Sequence, residues 1–391
     1  MRVLITEADH KNTLAAVRAL GMNGIEIVVS GRKRLEPAFY SKYCKKKYIY
    51  SDPVDHEVEF VKDIIDIVTR EKIDVILPIG AESCVVVSKY KGVLSKITKV
   101  AVSDYAIFLK AYDKLQTIEI GKEIGVPCPK TFGILEFEDL ENIIKELGFP
   151  IVLKAKKGSG YSGVKIINKR SELRKKYDDL INVDTKNENI YDHRNIIVQE
   201  YIPGDIHDVC IFANHGHIIR AVTQKRIKTL PVIGGGGIWN ITTNNVRLIE
   251  YSKKLIHTIQ YHGPAQIEFK LDKEGMPRLI EINPKFWGTL DLSIQAGVNF
   301  PLISARVAMG EKLNPNYCYK EGFEYIWIFP YQFVSFLRTK EKVKCLLDLR
   351  RLLRRNVATE FSLTDILPNI VTIFASFFAL FKKEAILKTF R

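Results

Sequence analysis

Two carboxylates and one amide side chain fall at positions that favour a shared metal site. Residues 266–284 predict two strands joined by a tight turn at Asp272–Gly275. Because side chains alternate between the two faces of a strand, Glu281 and Asn283 share one face. Glu268 lies on the partner strand and faces the same region if the register permits. Oxygen ligands of this kind suit Mg²⁺, which takes its other ligands from water and substrate phosphates.

The hairpin alone leaves a second interpretation open, in which the same polar side chains belong to a solvated sheet face. Apolar residues fill the alternate positions and predict that the opposite face is core. These residues are Ile267, Phe269, Ile280 and Ile282.

A glycine-rich segment is the second chemical signal; it consists of Gly158, Ser159, Gly160, Tyr161, Ser162 and Gly163. A dinucleotide fingerprint needs a helix after the turn, but the apolar run Val164–Ile167 predicts a strand there. The Lys-Ser or Lys-Thr of a P-loop is also missing. The segment is therefore predicted to be a β-hairpin whose backbone N–H groups approach phosphates closely, with a purely structural hairpin as the alternative.

Protein kinases use such a hairpin, and their other motifs test that class. A kinase carries its lysine on a strand after the loop, whereas Lys154 precedes it. The sequence contains no Asp-Phe-Gly, and His193-Arg194-Asn195 has Asn in place of the catalytic Asp. A protein kinase is excluded.

The first hundred residues alternate between strand and helix patterns, which predicts a parallel, doubly wound, Rossmann-like sheet. The turn Thr6–His10 lacks the Gly-x-Gly-x-x-Gly sequence that brings a backbone close to a pyrophosphate, so no dinucleotide is predicted there. The predicted strands are Arg2–Thr6, Ile25–Ser30, Val75–Pro78 and Val100–Val102, and the predicted helices are Asn12–Gly21 and Val58–Arg70.

The middle of the chain begins with a predicted helix from about Lys110 to Ile124, which Gly125-Val126-Pro127 ends. Residues 182–195 are predicted to be loop and residues 196–284 to be strands with long loops. Helices resume near Leu290. The elements expected in between are the helix Glu138–Leu147, the strands Ile151–Lys154 and Val164–Ile167, and a helix from Ser171.

Length and composition limit the class of protein. The chain has 391 residues, 46% hydrophobic and 27% charged, which is ordinary globular usage and suits two or three domains. The six cysteines include no Cys-x-x-Cys pair, so a zinc knuckle is excluded and free thiols in a reducing compartment are expected. The net charge of +14 favours anionic partners, unless it reflects a general lysine bias. Nucleic acid is not expected, because Lys42–Lys47 resembles a solvated face without any RNA-binding signature.

The C-terminal residues 331–391 carry half of the excess positive charge, a net +7. The apolar stretch Ile366–Phe381 contains Pro368 and is shorter than the ~20 residues of a membrane-spanning helix. One interpretation, which is favoured, is that the segment packs on the body of the protein. The other is an amphipathic helix on an anionic membrane surface. The first interpretation expects four buried side chains, namely Phe374, Phe377, Phe378 and Phe381. Met1–Glu7 has the pattern of a strand and not of a signal peptide.

Five motifs in a fixed order resemble the ATP-grasp superfamily over about residues 1–310. They are Tyr112-Asp113-Lys114, Phe149–Lys154, the glycine-rich segment, Val198–Gly204 and Glu281–Pro284. The run Asn283–Asp291 is similar to carbamoyl-phosphate-synthase-like carboxylate–amine ligases more than to biotin carboxylases.

The resemblance implies the fold class α/β, with α+β character in the ATP-grasp part. It implies a Rossmann-like domain at residues 1–108 and a linker helix with a lid subdomain at 109–200. A catalytic subdomain at 201–315 and a basic helical appendage at 316–391 complete the expected organisation.

The resemblance also implies roles for residues around the phosphates of ATP. Lys114 and Lys154 contact the phosphates, and the segment Gly158–Gly163 closes over them as a lid. Two Mg²⁺ ions, with Mn²⁺ as an alternative, are held by Glu268, Glu281 and Asn283.

The adenosine part of ATP has its own implied contacts. Glu200 accepts a hydrogen bond from the adenine amino group, while the backbone of Tyr201 and Ile202 reads the edge of the base. Either Asp205 or His207 takes the ribose hydroxyls.

Two further residues are candidates for contacts with the reacting groups. Many relatives have Arg after Asn-Pro, where this chain has Lys285; a lysine neutralises an oxyanion but forms no bidentate fork. The loop from Gln224 to Gly237 is the expected substrate-facing segment. Within it, Arg226 is either a carboxylate clamp or part of an exposed basic loop.

The implied function is an ATP-dependent ligase that phosphorylates a carboxylate to an acyl phosphate, which an amine then attacks to give an amide. The implied cofactors are ATP and Mg²⁺, and the partners are small carboxylates and amines. A cytoplasmic location and a homodimer fit this class. The rivals are a carboxylase or carbamoyl-phosphate-type enzyme on the same fold, and a non-catalytic nucleotide-binding module.

Overall fold

Five parallel strands form the first sheet of the protein. The computed structural model describes residues 1–158, 163–183, 187–231 and 235–381, with side chains up to Ser376. The strands β1 (Arg2–Ile5), β2 (Glu26–Gly31), β3 (Cys44–Ile49), β4 (Val75–Leu77) and β5 (Lys99–Val100) lie in the order β3-β2-β1-β4-β5. The helices are α1 (Lys11–Gly21), α2 (Glu57–Glu71), α3 (Ala81–Lys89) and α4 (Lys91–Leu94). The predicted doubly wound sheet is confirmed.

Both faces of this sheet are buried, as side-chain alternation along β1 shows. Val3 and Ile5 belong to a core that includes α1, whereas Leu4 belongs to a second core with α2 and α3. The sequence pattern does not predict β3. Its lysines Lys45–Lys47 are exposed at the sheet edge, in agreement with the solvated face expected for them.

Two helices, and not one, lead out of the first sheet. The single helix predicted from about Lys110 is instead two helices, α5 (Tyr105–Tyr112) and α6 (Lys114–Glu123), because the helical conformation is interrupted at Asp113. The Asp113 carboxylate accepts hydrogen bonds from two backbone N–H groups of α6 at 3.0 and 3.1 Å, which is the geometry of a helix N-cap. This cap fixes Lys114 in the first turn of α6.

A four-stranded antiparallel sheet follows; it is called the lid sheet below, after the lid subdomain expected in this region. The strands β6 (Thr131–Ile134), β7 (Ile151–Lys157), β8 (Val164–Ile167) and β9 (Asp192–Glu200) lie in the order β6-β9-β7-β8. The helices α7 (Asp139–Leu147) and α8 (Leu173–Ile181) cover one face. The pairing of β7 with β8 confirms both strands of the glycine-rich hairpin, whereas Ser159–Ser162 lie outside the described residues. The predicted loop 182–195 already contains the start of β9.

The third sheet has seven strands. These are β10 (Ile206–Asn214), β11 (His217–Leu230), β12 (Gly236–Thr243), β13 (Gly263–Leu271), β14 (Pro277–Asn283), β15 (Glu324–Ile326) and β16 (Val357–Thr359). They lie in the order β14-β13-β10-β11-β12-β15-β16. The helices around the sheet are α9 (Val246–Ile259), α10 (Leu290–Gln295) and α11 (Phe300–Ala308). Because β15 and β16 lie within residues 316–391, the appendage expected to be helical contributes strands as well as helices.

Helix α9 corrects the prediction that residues 196–284 hold strands and long loops. Asn245 caps the helix by accepting a hydrogen bond from the backbone N–H of Leu248 at 3.2 Å. The buried side chains of α9 recur at helical spacing and join the core of the large sheet; they include Leu248, Ile249, Leu255, Ile256 and Ile259. The cap and this spacing are both visible in the sequence.

The C-terminal segment packs against the first domain. Its helices are α12 (Phe333–Arg338), α13 (Lys342–Asp348) and α14 (Leu367–Phe381). Arg18 of α1 forms an ion pair of 2.9 Å with Asp365, whose side chain is 2% exposed, and donates to Asn369 at 3.0 Å. The favoured packing interpretation is therefore observed for residues 360–369, with the first domain as the surface.

The predicted burial of the phenylalanines in α14 is wrong for Phe374, which is 59% exposed. The side chains of Phe377, Phe378 and Phe381 lie outside the described residues. Of the helices that the structure describes, none is long and apolar enough to cross a membrane.

Candidate active site

Strands β13 and β14 form a hairpin, called the carboxylate hairpin below, whose polar side chains converge on one site. Strands β13 and β14 pair with Glu268 opposite Glu281 and with Gln266 opposite Asn283. The Asn283 amide Nδ2 donates to Glu281 Oε1 at 2.9 Å. The expected convergence of two carboxylates and one amide is confirmed, and Gln266 adds a second amide that the sequence analysis did not select.

One apolar residue of the hairpin, Ile280, does not face the side of the sheet that the sequence predicts. Glu268 pairs with Glu281 but Phe269 pairs with Leu279, so Ile280 is the extra residue of a bulge. Leu279 takes the core position, and Ile280 lines the cavity described next. The prediction that Ile280 faces the core is wrong, because a bulge shifts the alternation of side chains by one residue.

A cavity of about 360 Å³ lies between the lid sheet and the seven-stranded sheet. Nine of the predicted site residues line it: Lys154, Glu200, Tyr201, Ile202, Arg226, Glu268, Glu281, Asn283 and Lys285. Lys114 lies just behind it, with its Nζ 3.7 Å from Glu281 Oε2 and 2.9 Å from the backbone oxygen of Gly158. Predicted residues from four separate motifs therefore meet in one site.

The two facing carboxylates have opposite electrostatic surroundings. Burial alone would raise the pKa of Glu281, but Lys114 and Lys154 outweigh it and lower that pKa below its usual value. Burial raises the pKa of Glu268, and the neighbouring Glu281 and Asp208 add to the increase against the opposing effect of Arg226. The negative charge of Glu281 is therefore stabilised by the lysines, whereas that of Glu268 is destabilised and would be stabilised by a bound cation.

The position of Arg226 agrees with neither a carboxylate clamp nor an exposed basic loop, the two interpretations that the sequence left open. It lies on β11 and not in a loop, its side chain is only 8% exposed, and it forms a two-point ion pair with Asp208 at 2.7 and 3.1 Å. It also donates to Glu268, and to the backbone oxygen of Gly235 at 3.2 Å. These contacts make Arg226 a residue that positions Glu268, and they do not support a substrate clamp.

The lid sheet supplies the lysine and the apolar walls of one end of the cavity. Lys154 Nζ donates to Gln199 Oε1 at 2.8 Å, and burial lowers the pKa of Lys154 to about 8. The apolar side chains Val152, Val164 and Ile166 line the same end beside Glu200, Tyr201 and Ile202. An apolar slot next to polar backbone is the environment that a nucleotide base requires.

Neither predicted ribose contact lines the cavity. Asp205 forms an ion pair of 2.6 Å with Lys225, and its side chain is 61% exposed. His207 is the second residue of β10; its side chain is buried, and burial lowers its pKa. Ile206, between them, is the residue that reaches the cavity, together with Lys270.

The donor set fits Mg²⁺ held jointly by protein and nucleotide. The described ranges contain no group of three or more His, Cys, Asp and Glu side chains placed to hold a metal alone. Glu268 and Glu281 with the amide of Asn283 supply oxygen ligands on one side only. Water and phosphate oxygens complete such a site, which is the usual coordination of Mg²⁺ in phosphoryl-transfer enzymes.

Several lining residues were outside the sequence-based set. Lys270 donates to the backbone oxygen of Ile202 at 3.0 Å, and Gln199 holds Lys154. At the other end the cavity is lined by Lys11, Gly288, Thr289 and Tyr331. Gly288 and Thr289 lie in the run Asn283–Asp291 that carries the resemblance, whereas no sequence signal marks Lys11 or Tyr331, which come from distant parts of the chain.

Comparison with known proteins agrees with this architecture. Residues 192–328 match a family model described as ATP-grasp in the biosynthetic pathway with Ter operon. The carbamoyl phosphate synthase large chain of Clostridium perfringens is 26% identical over 306 residues, which cover 76% of this chain and 27% of that relative. The chain thus spans about a quarter of the length of that relative.

Two solved structures show the same fold. The biotin carboxylase domain of 2-oxoglutarate carboxylase from Hydrogenobacter thermophilus, solved with MgADP and bicarbonate, has a TM-score of 0.67 at 21% identity and covers 80% of this chain and 70% of its own. The L-amino acid ligase of Bacillus licheniformis has a TM-score of 0.62 at 14% identity, with 78% and 74% covered.

A Rossmann-like sheet, an antiparallel lid and a large sheet with a carboxylate hairpin define a nucleotide-dependent α/β enzyme class. The family match over residues 192–328 and the fold both support the resemblance of this chain to the ATP-grasp superfamily. The resemblance inferred from the five motifs is confirmed.

Proposed function

We propose that the chain is an ATP-dependent ligase that activates a carboxylate as an acyl phosphate and couples it to an amine. The observation that carries this proposal is the pair Glu268 and Glu281, opposed in register, joined to Asn283 and faced by Lys114 and Lys154. This arrangement suits phosphoryl transfer, which requires positioned charge more than covalent participation by the protein.

The chemistry balances in two steps. A carboxylate oxygen attacks the terminal phosphorus of ATP, the bond to the bridging oxygen breaks, and ADP leaves. An amine then attacks the acyl carbon and expels phosphate, with the amine proton passing to phosphate or solvent. Mg²⁺ supplies neutralisation of the phosphate charge. The chain itself contributes the cations Lys114 and Lys154 on the phosphates and Lys285 near the reacting carboxyl.

A phosphate-release assay over a matrix of carboxylic acids and amines, with Mg-ATP, tests the proposal. At least one acid should stimulate phosphate release, and the matching amine should raise it further. Phosphate release that no acid in the matrix stimulates would contradict the ligase assignment.

A bicarbonate-dependent activity is the second candidate, since the matched relatives include a carbamoyl phosphate synthase and a biotin carboxylase domain. The two candidates differ in one requirement. If bicarbonate alone sustains ADP formation and no carboxylic acid stimulates it, the second candidate replaces the first. If ATP binds but is never consumed under any condition, the chain is a non-catalytic nucleotide-binding module.

For location and assembly we propose a cytoplasmic homodimer. All six cysteines are free thiols, which suits a reducing compartment, and the Hydrogenobacter domain was solved as a dimer. Light scattering of the purified protein checks the dimer, and a single monomeric species would contradict it.

A peripheral contact with anionic membrane through the C-terminal segment is a separate proposal. Exposed apolar side chains in this segment include Leu363 at 93%, Leu367 at 56% and Phe374 at 59%, and the segment carries a net +7. Sedimentation with anionic vesicles should fall as salt rises and should fall in Leu363→Glu. Equal sedimentation with neutral and anionic vesicles would contradict the contact.

A further inference from the structure

The end of the cavity away from the lid sheet contains two lysines from distant parts of the chain. Lys285 follows the Asn-Pro of the carboxylate hairpin, and Lys11 is the first residue of α1 in the first domain. Apolar side chains line the space beside them, namely Leu230, Pro231 and Ile238. This end of the cavity is therefore apolar with two cationic points.

Lys11 is held by aromatic rings. Its Nζ lies 4.2 Å from the ring centre of Trp327 and 4.4 Å from that of Tyr331. Trp327 is 1% exposed, so the rings form a rigid wall and attract the ammonium by their negative faces. Trp327 and Tyr331 thus hold Lys11, a residue of the first domain, at the wall of the cavity.

The nearest carboxylates do not neutralise Lys11. Burial lowers the pKa of Lys11 to about 8, against the opposing effect of Asp291 and Glu360, and neither lies within the 4.0 Å of an ion pair. Glu360 accepts hydrogen bonds from the backbone N–H groups of Ile328 at 2.9 Å and Phe329 at 2.6 Å. Burial also raises the pKa of Asp291 to about 6.

Lys285, like Lys11, is half-buried. Its side chain also lines the cavity. Within the part of the chain that the structure describes, neither Lys11 nor Lys285 has an ion-pair or hydrogen-bond partner at Nζ. Two half-buried ammonium groups without counter-ions are costly unless an anionic ligand meets them.

The reacting carboxyl needs only one of these cations. Lys285 lies next to the carboxylate hairpin in sequence and serves that group. Lys11 then remains for a second anionic group, and the apolar side chains that line the same cavity fit the carbon skeleton of the substrate.

We propose that Lys11, seated on Trp327 and Tyr331, binds a second anionic group of the acid substrate. The substrate is then a carboxylic acid that carries a further carboxylate or phosphate, separated from the reacting carboxyl by an apolar spacer. This inference rests on the proposed ligase function, and it names the substrate class.

Calorimetric binding with a non-hydrolysable ATP analogue and Mg²⁺ tests the proposal without turnover. The probes are matched pairs with apolar spacers: succinate with butyrate, glutarate with pentanoate, and 3-phosphonopropionate with butyrate. At least one dianion should bind ~10-fold or more tightly than its monoanion, and the carboxylate and phosphonate pairs identify the kind of second group. No preference for any dianion would overturn the proposal.

Variants assign the preference to Lys11. Lys11→Met should remove it while leaving monoanion binding unchanged, and Lys11→Arg should restore it. The exposed Lys46→Met on β3 is the control and should behave as the wild type. A preference that survives in Lys11→Met would overturn the proposal.

The wild type alone offers a second readout that needs no variant. If the anion meets Lys11, binding at pH 8 should take up about half a proton, measured in buffers of different ionisation enthalpy. Dianion binding without proton uptake would contradict the proposal. A dianion preference without phosphate release would leave this subsite in place and would contradict only the ligase function.

Discussion

The two ends of the cavity differ in how their charged side chains are partnered. At the lid end Lys154 is bonded to Gln199, Lys114 faces Glu281, and Arg226 is fixed on Asp208. At the other end Lys11 Nζ lies over the rings of Trp327 and Tyr331, and Lys285 lines the same cavity. On the proposed function, the end with partnered charges binds ATP, and the substrate completes the other end.

The largest effect is expected for Glu281→Gln. Losing this carboxylate removes one oxygen ligand of the metal and the partner of Lys114, so turnover should fall by ~10³-fold or more. ADP should still bind, more weakly, because the apolar slot and Lys154 remain. Steady-state ATP consumption and calorimetry with Mg-ADP measure both.

The matched control for Glu281→Gln is Glu274→Gln, on the exposed turn of the same hairpin. It should keep wild-type rates. Wild-type turnover in Glu281→Gln would refute the metal assignment at the lid end.

The next effect concerns stability and separates two aspartates on and beside β10. Asp208→Asn breaks a fully buried ion pair with Arg226 and should lower the free energy of unfolding by about 3 kcal/mol. Asp205→Asn removes an exposed pair with Lys225 and should change it by less than about 0.5 kcal/mol. Urea denaturation measures both free energies.

The Asp205→Asn variant also tests the prediction that Asp205 binds the ribose hydroxyls. Since Asp205 does not line the cavity, Asp205→Asn should also leave ADP affinity unchanged. A large loss of ADP affinity in this variant would return Asp205 to the nucleotide site.

A smaller, pH-dependent effect is expected from Lys154. Because burial lowers its pKa to about 8, the ammonium that meets phosphate is present below pH 8 and is lost above it in the ligand-free protein. The affinity for Mg-ADP should therefore fall between pH 7 and pH 9, by up to ~10-fold. Calorimetry across this range measures the slope.

Lys154→Met should bind Mg-ADP weakly with no such slope. The exposed Lys145→Met on α7 is the control and should keep both the affinity and the slope. An unchanged slope in Lys154→Met would assign the titration to another group.

The sequence predicts the lid end better than the other end, for a physical reason. Glu268, Glu281 and Asn283 lie on adjacent strands of one hairpin, so alternation alone brings them together. The bulge at Ile280 breaks this rule, because nothing in the local pattern marks the extra residue. Helix α9 is a different case, since its cap at Asn245 and its apolar spacing are legible in the sequence.

The other end depends on contacts between distant segments. Lys11, Lys285 and Tyr331 meet only after the first domain, the large sheet and the C-terminal segment have packed together. Arg226 shows the same limit, because its partner Asp208 lies on the neighbouring strand β10 and the sequence gives no register for it. Local patterns predict elements and motifs, whereas these pairings depend on tertiary structure.

Trapping with hydroxylamine tests the central claim most directly. If the cavity activates a carboxylic acid, wild-type protein with Mg-ATP, an acid and hydroxylamine should form the hydroxamate of that acid and release phosphate in equal amounts. Glu274→Gln should do the same, and Glu281→Gln should form none. Hydroxamate formation in Glu281→Gln at the wild-type rate, or ATP consumption by the wild type that yields no hydroxamate with any acid, would contradict the account.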